Sequence, residues 1–197
     1  QVTSAGGTDL FLARYTSGGA FLSAVTLGSG GNETTPPGAL RVDLQGNVVF
    51  SGRFRGTLDL DPGSGTANVT NPGASDNLFL LSLSPSFDYR WGFSVVSDGA
   101  LDGGHRVAID RFGAVTVGGW FGGTADFDGG PGTASRTSRA TDGATDVFVA
   151  RYGPDGAFRW VATFGADVSG ADQLSILAGL AVDHEGAAFA TGQYFGS

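Results

Sequence analysis

Two short stretches carry the residues best placed for chemistry. Residues 56–67 read GTLDLDPGSGTA, and residues 123–134 read GTADFDGGPGTA. Each sets two carboxylates two positions apart, Asp59 with Asp61 and Asp126 with Asp128, ahead of a glycine-rich turn. In extended backbone that spacing puts both side chains on one side. The glycines then allow a sharp turn that brings carbonyls inward. A hard cation such as Ca²⁺ takes about six to eight oxygens and accepts carboxylates and carbonyls together. Calcium is therefore the cofactor this pattern would hold, with those four aspartates as ligands. The same spacing serves a turn equally well, because Asp accepts backbone N–H bonds from residues just beyond it. The longer D-x-D-x-D-G spacing with a downstream Glu is absent, so both readings stand.

Other chemistry is sparse. Asp43, Asp110 and Asp183 each precede a turn glycine, which is the place of a turn-initiating Asp. His105 and His184 lie far apart in sequence and form no motif. No Ser/His/Asp pattern, phosphate loop or zinc spacing occurs, so no catalytic residue is assigned. Trp120 stands where the equivalent positions hold Arg53 and Gln193. A single large aromatic that departs from a repeat is the candidate platform for a carbohydrate ligand.

The elements that must position these residues repeat. Residues 9–15 (DLFLARY), 77–83 (NLFLLSL) and 146–152 (DVFVARY) match, and each leads through a short turn to a second run beginning near Ala20, Asp88 or Ala157. Residues 39–54, 107–121 and 180–194 form a second matched set, with Gly46, Gly113 and Gly186 at the turn. Alternating apolar and polar residues around Gly-containing turns predict hairpins. Calling the second set strands A and B and the first set C and D, the chain runs C–D, A–B–C–D, A–B–C–D, A–B. A repeated four-stranded antiparallel unit predicts an all-β fold of the β-propeller kind. It would have three blades in one module spanning 1–197: residues 39–96, residues 105–165, and a blade split between 1–28 (C–D) and 178–197 (A–B). Periodic aromatics such as Trp91 and Trp160, or Phe11, Phe79 and Phe148, read as packing between blades.

Composition narrows the partners. Of 197 residues 41% are apolar, enough for a core, and 35 are glycine, which works against helix. Acidic residues outnumber basic ones 19 to 11, for a net charge of −8. That balance repels phosphate backbones and argues against nucleic acid as a partner. There is no cysteine and no methionine, so thiolate sites are excluded and the chain reads as processed, trimmed or a fragment. No apolar run reaches the length of a transmembrane segment.

The runs VAID and LAVD, GNVVFSGRF and GAVTVGGWF, the loop GTADFDGGPGT, and DVFVARYGPDGAFRW resemble the bacterial secreted β-propeller repeat family, of the seven-bladed-repeat type. The resemblance covers nearly the whole chain. It implies an extracytoplasmic location, secreted or at the cell surface, and says little about activity.

Three blades leave apolar faces uncovered. The expectations are self-association, either two chains closing a six-bladed ring or a head-to-tail filament, or a chain that is part of a longer propeller. The loops at 28–38, 95–104 and 165–179 are expected to share a face with the two D-x-D loops and to gather Glu33, Asp98, Asp102, Asp167 and Asp172 into an acidic rim. The function expected is a structural or binding scaffold, with a carbohydrate or a surface protein as partner. The alternative is a lectin or polysaccharide-acting enzyme that uses that loop face.

Overall fold

The structure is a computed structural model that describes residues 3–73, 75–99, 103–165 and 175–194. All regular structure among them is β. No described helix is long and apolar enough to cross a membrane.

The central unit has strands β3 (Leu40–Val42) and β4 (Val48–Phe54), then a hairpin of β5 (Gly56–Asp59) and β6 (Asn68–Asn71), then β7 (Asn77–Leu83) and β8 (Tyr89–Ser97). The next unit repeats it as β9 (Gly103–Ile109), β10 (Val115–Phe121), β11 (Thr124–Asp126), β12 (Ser135–Thr137), β13 (Asp146–Tyr152) and β14 (Phe158–Phe164). Before them comes the hairpin β1 (Leu10–Tyr15) and β2 (Phe21–Leu27), and after them β15 (Ile176–Val182) and β16 (Ala188–Gln193).

The A-B-C-D pattern becomes antiparallel sheets in the order β3-β4-β7-β8 and β9-β10-β13-β14. The middle strands of each sheet are buried on both faces, which is why VVFSGRF and DVFVARY are nearly continuous apolar runs. The A–B turns follow one plan. Asp43, Asp110 and Asp183 each accept two backbone amides on Oδ1. The glycine at the end of each turn has φ of 84°, 82° or 91°, the left-handed region where a Cβ is penalised. In the C–D turns Gly19 and Gly156 share that geometry, but Phe87 holds it in the central unit at φ 71°. Phe87 is buried with Leu81 and Leu83, and that contact offsets the backbone strain.

The sheets stack face to face. Val48, Phe50, Phe79 and Leu81 on one face of the central sheet pack under Leu10 and Leu27 of the β1–β2 hairpin. Val49, Leu78 and Leu80 on the other face pack against Val107, Val115 and Val117. Beyond that second sheet, β15 lies over β9 and β10, with Leu177 and Leu180 against Gly118.

Two features depart from the sequence expectation. The segment between B and C is not a plain loop but an added hairpin, and β11 continues the central sheet by pairing with β8 through Ala125–Ser97 and Asp126–Val96. The two terminal hairpins do not join into one blade. β1–β2 and β15–β16 are separate two-stranded sheets, because each buries a face on a different end of the stack.

Candidate functional site

Both D-x-D turns have the same internal wiring. The Asp59 Oδ1 atom accepts from Asp61 N at 3.0 Å and Ala67 N at 2.8 Å, and Asp61 Oδ1 accepts from Gly63 N at 2.8 Å. In the second turn Asp126 Oδ1 accepts from Asp128 N at 3.1 Å and Ala134 N at 2.8 Å, and Asp128 Oδ1 accepts from Gly130 N at 2.8 Å. The first Asp of each pair closes the neck of the hairpin and the second caps its tip. The residue between them, Leu60 or Phe127, is fully buried. Alternation along extended backbone thus sends the apolar side chain inward and the two carboxylates outward. This wiring accounts for the spacing as turn architecture. Among the described residues no group of three or more His, Cys, Asp or Glu side chains is arranged to hold a metal. A calcium ion at either turn would draw most of its oxygens from the backbone.

The hairpins also decide where the turns go. β11 folds back along β8, so its tip travels away from the loop that follows β8 and arrives beside Tyr89–Phe93. Gly129 lies so close to Phe93 that a Cβ there would sit 2.1 Å from the ring. The Tyr152 hydroxyl, buried under the tip, donates to the Phe127 carbonyl at 2.9 Å. Burial, and then the carboxylates of Asp128 and Asp126, push the Tyr152 phenol far up, so it stays a donor.

At this tip the structure forms a groove of about 500 Å³. Tyr89, Trp91 and Phe158 give it aromatic walls, and Asp128, Gly130 and Asp155 bring polar groups to it. Trp91 is held in place: its Nε1 donates to the Pro154 carbonyl at 2.9 Å, and its ring stacks on Phe93 at 6.0 Å. The groove therefore combines rigid aromatic surface with carboxylate acceptors, a chemistry suited to hydroxyl-rich ligands.

Among the described residues, Glu33 and Asp98 of the expected acidic rim are turned to internal bonds. Glu33 is fully buried and accepts from the Ser29 hydroxyl at 2.6 Å and the Ser29 amide at 2.9 Å. Asp98 accepts from Thr124 N at 2.6 Å and so anchors the base of the added hairpin. Asp102, Asp167 and Asp172 lie outside the described residues. The expectation placed the D-x-D turns beside the loops at 28–38 and 95–104. The fold-back of β11 along β8 instead carries the second turn to the C–D turn of its own unit, at Asp155–Phe158.

Trp120 is half-buried on β10, paired in register with Val147 and Gly103. The aromatic groove is lined by Trp91 instead. His105 is fully buried, and neither ring nitrogen has a hydrogen-bond partner. Burial, followed by the charges of Arg53 and Arg106, lowers its pKa to about 3, so it is a neutral core residue. His184 is exposed beside Glu185. One buried ion pair was not legible beforehand: Arg151 binds Asp110 Oδ2 and also donates to the Gly186 carbonyl at 3.0 Å. Its signal was the Arg in DVFVARY, which the central unit replaces with Ser82. No protein-family model matches the chain, and no curated protein matches it in sequence.

Proposed function

We propose that the chain is a propeller-type repeat scaffold, structural or ligand-binding rather than catalytic, that works outside the cytoplasm and assembles with further copies. The observation that carries this reading is the face-to-face stacking of two four-stranded units with the same wiring in their A–B and D-x-D turns. In each D-x-D turn that wiring takes up the Oδ1 atom of both aspartates, a use of acidic groups that suits a scaffold. The extracytoplasmic location rests on the resemblance of the repeat to secreted propeller proteins.

The groove at Trp91 favours a carbohydrate as ligand. Titration with neutral and acidic oligosaccharides should quench or shift tryptophan fluorescence, and Trp91→Ala should abolish the change. Incubation with the same polysaccharides should release no reducing ends. Release that disappears in Asp128→Asn or Asp155→Asn would overturn the scaffold reading in favour of an enzyme. Calcium belongs to this reading as a stabiliser of the turns. It would raise the melting temperature of the native chain but not of the doubly substituted Asp59→Asn, Asp126→Asn chain, and equal melting of the native chain with and without Ca²⁺ would remove it.

A further inference from the structure

The two end hairpins present unpaired strand edges, and among the described residues the two most exposed aromatics, Phe11 and Tyr194, lie in or beside them. Phe11 is 75% exposed, although its equivalents Phe79 and Phe148 are at 0%. Tyr15 is 59% and Tyr194 65% exposed, although Tyr152 and Phe121 at the matching positions are also at 0%. The difference lies in what surrounds these positions. In both complete sheets strand B pairs with strand C, as β4 with β7 and β10 with β13. β16 is a strand B without a C, and β1 is a strand C without a B.

We propose that β16 of one copy pairs with β1 of a second copy, completing a four-stranded sheet across the interface. The register follows from β10 and β13, where Val117 faces Ala150 and Phe121 faces Asp146. Transferred to the ends, it sets Ala190 opposite the second copy's Ala13, and Tyr194 opposite its Asp9.

Three complementarities meet in that register. The first is charge. Arg151 pairs with Asp110 across β13 and the turn before β10. Arg14 occupies the Arg151 position, and Asp183 the Asp110 position. The central unit has Ser82 in place of the arginine, so the pair is confined to the second complete sheet and the proposed joint. Asp183 already has its pKa lowered by the amides of its turn, so it is a carboxylate ready for a cation.

The second is shape. Trp91 of β8 lies over the next unit's C–D turn, where a Cβ on Gly156 would stand 2.8 Å from the ring. Trp160 is the same position in β14 and is 39% exposed. Gly19 is the same position as Gly156, and nothing lies within 4 Å of a Cβ built there. The joint would seat Trp160 of one copy on the Gly19 turn of the other.

The third is apolar cover. Phe11 and Tyr15 would face Phe164 and Val147, the repeat equivalents of Val95 and Leu78, with which Phe148 and Tyr152 share the core. Phe189 would enter the groove of about 520 Å³ that runs beside β1, floored by Leu40, Val42 and Val48. Reciprocal pairing uses each edge once in a two-copy ring, and non-reciprocal pairing grows a filament. Either product removes unpaired edges that invite uncontrolled strand addition.

The inference rests on the repeat-scaffold reading, but its test is separate from that of the groove. The chain has no cysteine, so single-cysteine chains report one contact each. Ala13→Cys and Ala190→Cys chains, mixed under mild oxidation, should give a disulfide-linked pair. Neither should cross-link alone, and Ala13→Cys with Thr191→Cys, one residue out of register, should react far more slowly. Light scattering should give at least twice 19.9 kDa. Arg14→Asp and Asp183→Arg should each weaken association by about a hundredfold, the scale for breaking a buried pair, and their mixture should restore it. Trp160→Ala should weaken association without lowering the melting temperature of the dissociated chain. A monomer at all concentrations, or an intramolecular disulfide in the doubly substituted chain, would overturn the proposal. Loss of carbohydrate binding with association intact would instead count against the groove.

Discussion

His105 is the clearest residue-scale consequence of this fold. It sits where β9 meets the central sheet, 6.4 Å from the Phe148 ring, with no partner for either nitrogen. Its pKa falls from 6.5 to about 3 because burial and two arginines disfavour the imidazolium. The unfolded chain therefore binds a proton that the folded chain refuses between those values. The contribution to stability is whole above pH 6.5, falls with pH through that window, and is lost below about pH 3. The limiting slope for one proton is about 1.4 kcal/mol per pH unit. Urea unfolding at pH 7, 6, 5 and 4 should show that slope, and His105→Leu should flatten it. An unchanged slope in the variant would mean that His105 is solvated in solution. Nothing in the sequence marks this residue: GGHRVAID places a histidine at a strand start, and only packing makes it a buried one.

At the scale of elements, the added hairpin β11–β12 is the feature that alters the surface. It bonds to β8, caps its own neck with Asp126 and sends Phe127 into the core. Its tip has no room to spare above Phe93. Gly129→Ala should force the tip off β8 and cost about 1–3 kcal/mol, the range for overpacking, measured as a shift in urea midpoint. Gly130→Ala, whose Cβ would meet only the end of the Asp128 side chain at 3.1 Å, should cost less. Equal losses would show that the tip does not rest on Phe93. The hairpin was half legible. The GT-x-D-x-D repeat marked a special turn, but the flanking strands are only three or four residues long, too short for alternation to announce them. The Trp91 groove was hidden for the same reason, since its walls come from two units brought together by this fold-back.

For the whole molecule, equivalent residues carry unequal weight according to their place in the stack. Phe148 lies in the core with Phe121 and Phe127, and Phe148→Ala should cost about 3–5 kcal/mol. Phe11 is its repeat equivalent on an open face. Phe11→Ala should leave the unfolding of a dissociated chain within about 0.5 kcal/mol of the parent, while loosening any assembly through β1. A large loss from Phe11→Ala in a dilute monomer would mean that β1 is covered within one copy. The sequence alone determined the A, B, C and D strands, their order and the turns that join A to B and C to D. Those depend on local periodicity, on glycines at φ-positive positions and on Asp side chains that bond their own neighbours, and all three are written within a few residues of one another. Only the tertiary structure decided that β11 joins β8, that Glu33 and His105 are buried, that Trp91 rather than Trp120 walls the groove, and that the end hairpins cap opposite ends of the stack. Each of those is settled by which face meets which across tens of residues of chain, a competition for apolar area that no local pattern records.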